Sequence, residues 1–110
     1  AHPDAGNGTT RLAGAAYDMY GPTSDTTRPA GEWNETRILV DGNHVEHWLN
    51  GEKIVEYELF SDDWNERVAN SKWAGEADYG RMSSGHIALQ DHGDEVWYRN
   101  VRIMALPDTE

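Results

Sequence analysis

WNETRILVDGNHVEHWLNGEKIVEYEL, residues 33–59, is the stretch that decides the fold. Trp33 to Val40, His44 to Leu49 and Lys53 to Leu59 are rich in the β-branched and aromatic residues of strands, and turn residues bound each run. Asp41-Gly42 and Asn50-Gly51 stand between them. Asn-Gly is the strongest short hairpin signal, because a type I′ turn needs positive φ at both central positions. The stretch predicts an antiparallel three-strand meander. With Asn50 and Gly51 as the loop, Leu49 pairs with Glu52, Trp48 with Lys53, His47 with Ile54 and Glu46 with Val55. That register puts Val45, His47 and Leu49 on one face with Ile54, and His44, Glu46 and Trp48 on the other with Val55 and Tyr57. Neither face is plainly solvent, which suits a sandwich whose second face carries a groove.

Upstream, residues 1–31 read as loop around one short strand, Leu12 to Tyr20. Downstream, SDDWNERVANSKW (61–73) predicts a short helix. Ser61 is its cap, Asp62 and Asp63 complement the N-terminal dipole, and Trp64 and Val68 share a face. Gly85 to Leu106 predicts a second hairpin around His92-Gly93-Asp94. Val96 and Tyr98 are in one phase and Val101 and Ile103 in the other, so a bulge is expected near Arg99-Asn100.

A length of 110 residues allows one domain, residues 1–110. Lys and Arg number 9 against 20 Asp and Glu, a net charge of −11 that repels nucleic acid and anionic membrane surfaces. No apolar run reaches the ~18–20 residues of a membrane span, so insertion is not expected. With 0 Cys, disulfides, thiolate metal sites and thiol nucleophiles are excluded. The 5 Trp and 5 Tyr are too many for a disordered acidic tail and suit sugar stacking as well as a core.

Several of these segments, in this order, resemble the 3-keto-disaccharide hydrolase domain, long known as domain of unknown function 1080. The matching pieces are Trp33-Asn34, the His47 to Gly51 run His-Trp-Leu-Asn-Gly, GHIALQDHG from Gly85 to Gly93, and Tyr98 to Val101. AAYDMYGP, Ala15 to Pro22, resembles the family's Tyr-Asp strand. The resemblance covers about residues 12–106. It implies an all-β fold, a concanavalin-like or laminin-G-like jelly-roll sandwich of antiparallel sheets. The family carries further strands before the Tyr-Asp strand. The chain is therefore expected to be the C-terminal part of a longer jelly roll, incomplete at its N-terminus. The absent strands or a partner would cover the open edge. The resemblance also implies an extracellular or periplasmic bacterial protein whose leader lies outside this chain.

The chemistry-bearing residues follow. Imidazole exchanges protons near neutrality and a nearby carboxylate orients it, so His47 and His92 are the candidates for proton transfer, with Glu46 as orienter or alternative base. The structural alternative is a strand histidine satisfied by neighbours, but His47 stands between Val45 and Leu49, where an unpartnered polar group is costly. Gln90 and Arg99 offer donors to sugar or enolate oxygens, while Asn100 fits bulge geometry better. Trp48 and Trp97 could stack on a pyranose or fill a core, and Trp33 is assigned to the core. His44, beside Glu46, and Tyr17, from the Tyr-Asp segment, complete the substrate-binding set. No metal is expected. His44-x-x-His47 has ligand residue types, but positions three apart on a strand face opposite sides. No cofactor is expected either; Asp91, Asp94 and Glu95 carry the oxygens Ca²⁺ takes, with no spacing that argues for it.

The resemblance implies cleavage of an oxidised glycoside or disaccharide. A 3-keto group acidifies C2–H, a base removes that proton, the C1 substituent leaves, and water adds to the enone. The alternatives are a lectin-like module that binds carbohydrate without cleaving it, and a structural sandwich, since fold does not decide function.

Overall fold

The computed structural model describes residues 12–75, 87–90, 93 and 95–106. The meander is present as β1 (Thr36–Asp41), β2 (His44–Leu49) and β3 (Glu52–Glu58), in the order β1-β2-β3 and antiparallel throughout. Asn50 and Gly51 take φ 51° and 86°, the two positive values of the type I′ turn. The Asn50 side chain also does the work of a small hub. Its Oδ1 accepts from the Glu35 N–H at 2.8 Å, and its Nδ2 donates to the Thr26 carbonyl at 2.6 Å and to Asn34 Oδ1 at 2.9 Å. The turn thereby ties the loop before β1 to the hairpin.

The β2–β3 register differs from the simple continuation of that turn. Leu49↔Glu52 and Trp48↔Lys53 stand, but His47 pairs with Val55 and Glu46 with Glu56. Ile54 is the extra residue of a bulge between them. The reason is burial: Ile54 and Val55 are adjacent and both buried, which an uninterrupted strand could not achieve on a one-sided sheet. The bulge exchanges the partners of the two faces. Val55 and Tyr57 join Val45, His47 and Leu49 on the core face, and Lys53, Glu56 and Glu58 join His44, Glu46 and Trp48 on the other.

Against the core face packs α1 (Asp62–Ala69). Ser61 caps it, its Oγ accepting from the Trp64 N–H at 3.1 Å, as expected. Trp64 and Val68 are the buried positions. The helix stops at Asn70 because Ser71 Oγ donates back to the Val68 carbonyl at 2.8 Å and accepts from the Trp73 N–H at 3.1 Å. Ala16, Met19, Leu49, Ile54, Val55, Trp64 and Val68 form the core, with Tyr20 and Tyr57 partly buried against it.

Three expectations are corrected. Leu12 to Tyr20 is not a strand; Asp18 at φ 66° reverses the chain, and Ala16 and Tyr20 close the turn in an isolated bridge. Trp33 is not core: it is 43% exposed, and the Arg99 guanidinium lies 4.0 Å over its ring. The described parts of 85–106 carry no strand, and the turn expected around His92-Gly93-Asp94 lies mostly outside the described residues. Asn100 at φ 55° does turn the chain where the phase change is, as a bend rather than a bulge between paired strands. The described residues thus form one antiparallel sheet and a helix, consistent with an all-β class; they contain no second sheet. Among them no helix is long and apolar enough to cross a membrane.

Candidate functional site

Alternation along β2 separates the sequence-predicted residues into two groups. On the core face, His47 Nδ1 donates to the Gly14 carbonyl at 2.7 Å, since a carbonyl can only accept. In the neutral ring that bond leaves the lone pair on Nε2, which faces the Tyr57 hydroxyl at 3.1 Å. The Tyr57 ring meets the imidazole edge-on, with centroids 5.4 Å apart. Tyr57 is stacked in turn on Tyr20 at 4.9 Å and on Trp64 at 5.2 Å. The pair is half-buried and rigidly backed. Tyr20 donates to Asp63, and burial together with that carboxylate pushes its phenol well above the ordinary tyrosine range. The same bond, with Arg67, holds the Asp63 carboxyl below its usual range.

On the opposite face, both nitrogens of His44 meet carboxylates. Nδ1 bonds Glu58 Oε1 at 2.5 Å and Nε2 bonds Glu46 Oε2 at 2.9 Å, with Glu56 Oε2 3.2 Å away. Carboxylates only accept, so the ring here is the imidazolium. Glu46 first and Glu58 second hold its pKa above the ordinary imidazole range. Glu46 is held below the usual carboxylate range by His44 and by the Trp48 indole N–H, which donates to Oε1 at 2.9 Å. Lys53 pairs with Glu56 at 3.0 Å.

His47 and Glu46 are therefore not a pair. The group that orients His47 is the Gly14 carbonyl, and Glu46 serves His44 and Trp48 instead. His44 is a carboxylate-bound cation, and Trp48 presents its N–H edge to Glu46. Tyr17 lies apart: its ring is 6.4 Å from that of Trp73, with Lys72 Nζ 4.8 Å over it. Arg99 covers Trp33, and Gln90 accepts from the Tyr98 hydroxyl through its backbone carbonyl at 2.6 Å. His92, with His86, Asp91 and Asp94, lies outside the described residues. A cleft of about 540 Å³ beside Pro22, Asp25, Arg28 and Leu49 is lined by none of these candidates, of which only His44, Glu46, His47 and Trp48 lie on the sheet. Tyr57, Glu56 and Glu58 are the partners that sequence reasoning missed. The adjacent apolar pair Ile54-Val55 was the signal that could have found them.

The family profile of the 3-keto-alpha-glucoside-1,2-lyase-like domain matches residues 1–104. The chain belongs to this family. It is 34% identical over 117 aligned residues to a 3-keto-disaccharide hydrolase of Bacteroides thetaiotaomicron, an alignment covering 96% of this chain and 40% of that protein. The chain thus spans about two fifths of the length of this curated relative. Among solved structures it is similar to a protein of Parabacteroides distasonis described as a candidate glycosyl hydrolase, with 39% identity and a TM-score of 0.57. That likeness covers 60% of this chain and 30% of the other.

Proposed function

We propose that this member of the family contributes to a glycoside-cleaving domain built as a jelly-roll sandwich, acting on 3-keto glycosides by elimination and hydration. The relatives supply the substrate class: one is named for hydrolysing 3-keto-disaccharides. The observation that carries the catalytic part is the orientation of His47. Its Nδ1–H is committed to Gly14, so Nε2 is the basic atom and faces a hydroxyl rather than bulk water. In the proposed step Nε2 takes the proton from C2 of the keto sugar. The electron pair of that C–H bond forms the C1–C2 double bond, and the C1–O bond breaks with its electrons on the leaving oxygen. That oxygen is protonated by the Tyr57 hydroxyl or by the newly formed imidazolium, and water then adds across the enone. Gln90 and Arg99 are proposed donors to the ketone oxygen, and His92 the second proton-transfer group.

The test is turnover of a 3-keto-disaccharide by the intact protein carrying His47→Gln, whose amide can still bond Gly14 and Tyr57. Turnover is expected to fall at least ~10²-fold, the low end for a general base, with melting unchanged. Full activity in this variant would move the base elsewhere. Saturable sugar binding without turnover in the unsubstituted protein would favour the lectin-like alternative.

A further inference from the structure

We infer that the His44, Glu46 and Glu56 side chains form a binding site for a divalent first-row transition ion on the polar face of the sheet. The ligating atoms, His44 Nε2 and one oxygen from each glutamate, lie within 4.8 Å of one another. Ion–ligand distances of about 2.0–2.2 Å place such atoms about 3–4 Å apart, so small side-chain rotations suffice. One imidazole with two carboxylates suits Zn²⁺, Mn²⁺ or Fe²⁺, whereas all-oxygen sets suit Ca²⁺ and Mg²⁺. The ion replaces the proton on Nε2, which leaves to solvent.

The bulge assembles the site. Without it Val55 and Tyr57 would oppose Glu46 and His44; with it Glu56 and Glu58 do. Bulges that re-aim side chains recur beside functional sites. Directly opposed like charges destabilise a strand pair, and Glu46 faces Glu56 across the hairpin. His44 and Lys53 already offset that repulsion in part, and a dication in place of the Nε2 proton offsets it further. The surroundings also match those of metal ligands. Glu58 on Nδ1 fixes the ring with Nε2 toward the glutamates, and the Trp48 indole holds the other oxygen of Glu46. Three protein ligands leave a coordination position for water or a substrate oxygen. Lys53, an exposed side chain on Glu56, swings away when the ion enters. This inference does not rest on the proposed role of His47, which lies on the other face.

The experiment is titration of the chelator-treated chain with Co²⁺, read by visible absorption, and with Zn²⁺, read by calorimetry. One ion per chain is expected. His44→Ala and Glu56→Gln should each weaken binding at least ~10-fold, and Glu58→Gln about 10–100-fold through the ring it orients. Lys53→Met should tighten binding, and Glu52→Gln, on the other face, should leave it unchanged. Absence of saturable binding, or equal affinity in His44→Ala and Glu56→Gln, would overturn the site. Glu56 is exposed, so its variant folds and keeps the test decisive. Neither readout depends on turnover.

Discussion

Gly51 and Gly14 both carry positive φ, and they matter for different reasons. A Cβ on Gly51 would meet nothing within 4 Å, so Gly51→Val is opposed by backbone conformation alone. The left-handed region costs an ordinary residue roughly 1–2 kcal/mol and a β-branched one more. Gly51→Val should therefore lower the melting temperature by several degrees, and an unchanged one would refute the turn geometry. At Gly14, with φ 89°, an added Cβ would press on Ile54 Cδ1, and the same residue's carbonyl orients His47. Gly14→Ala should thus depress both stability, through the left-handed φ and the press on buried Ile54, and the proposed turnover, because the carbonyl that orients His47 moves. The Asn-Gly turn was readable in the sequence because its φ requirement is local. The role of Gly14 was not, since a contact 33 positions away leaves no mark on the neighbouring residues.

Element by element, what was legible follows the same division. The three strands and the helix declare themselves by alternation, turn chemistry and a capping serine, all of which act within a few residues. The bulge at Ile54 depends on which face the helix covers, and that is tertiary information. The contact between α1 and the 16–20 turn also predicts a pH response. The Asp63 carboxyl is held below its usual value, so its contribution to stability is present above the unfolded-state value and lost as pH falls below about 4. The Tyr20 phenol is raised, so its contribution is full below its unfolded value near 10 and declines as pH rises beyond it. The acid change rests chiefly on the Tyr20–Asp63 bond, and the alkaline one first on burial of the phenol and then on that bond. Denaturant midpoints of Tyr20→Phe should lose the alkaline decline and soften the acid one, where Arg67 still holds Asp63. A variant with the same pH profile as the parent would show that the bond is not made in solution.

For the molecule as a whole, the apolar surface is unevenly placed. Ile38 and Val40 of β1 share the core face of the sheet but are 68% and 54% exposed, because α1 covers only the β2–β3 side. Beyond the helix, Ile87, Trp97, Val101 and Ile103 are exposed too, the last at 80%. Scattered apolar residues on a surface are ordinary, but Ile38 and Val40 lie side by side on β1. Among the described residues β1 is an edge strand paired only to β2, and such an edge templates pairing with another chain. The net charge of −11 opposes association at long range and is screened by salt. Self-association of this chain should therefore strengthen as ionic strength rises. Val40→Lys would place a charge in the exposed stripe, and it also lowers the net negative charge; a second variant, Val40→Glu, raises that charge. If the apolar edge drives association, both substitutions shift light-scattering mass toward the monomer at high salt. If only net charge governs it, the two act in opposite directions. A parent chain that stays monomeric at high salt and unfolds in one cooperative transition would show that the edge is not adhesive.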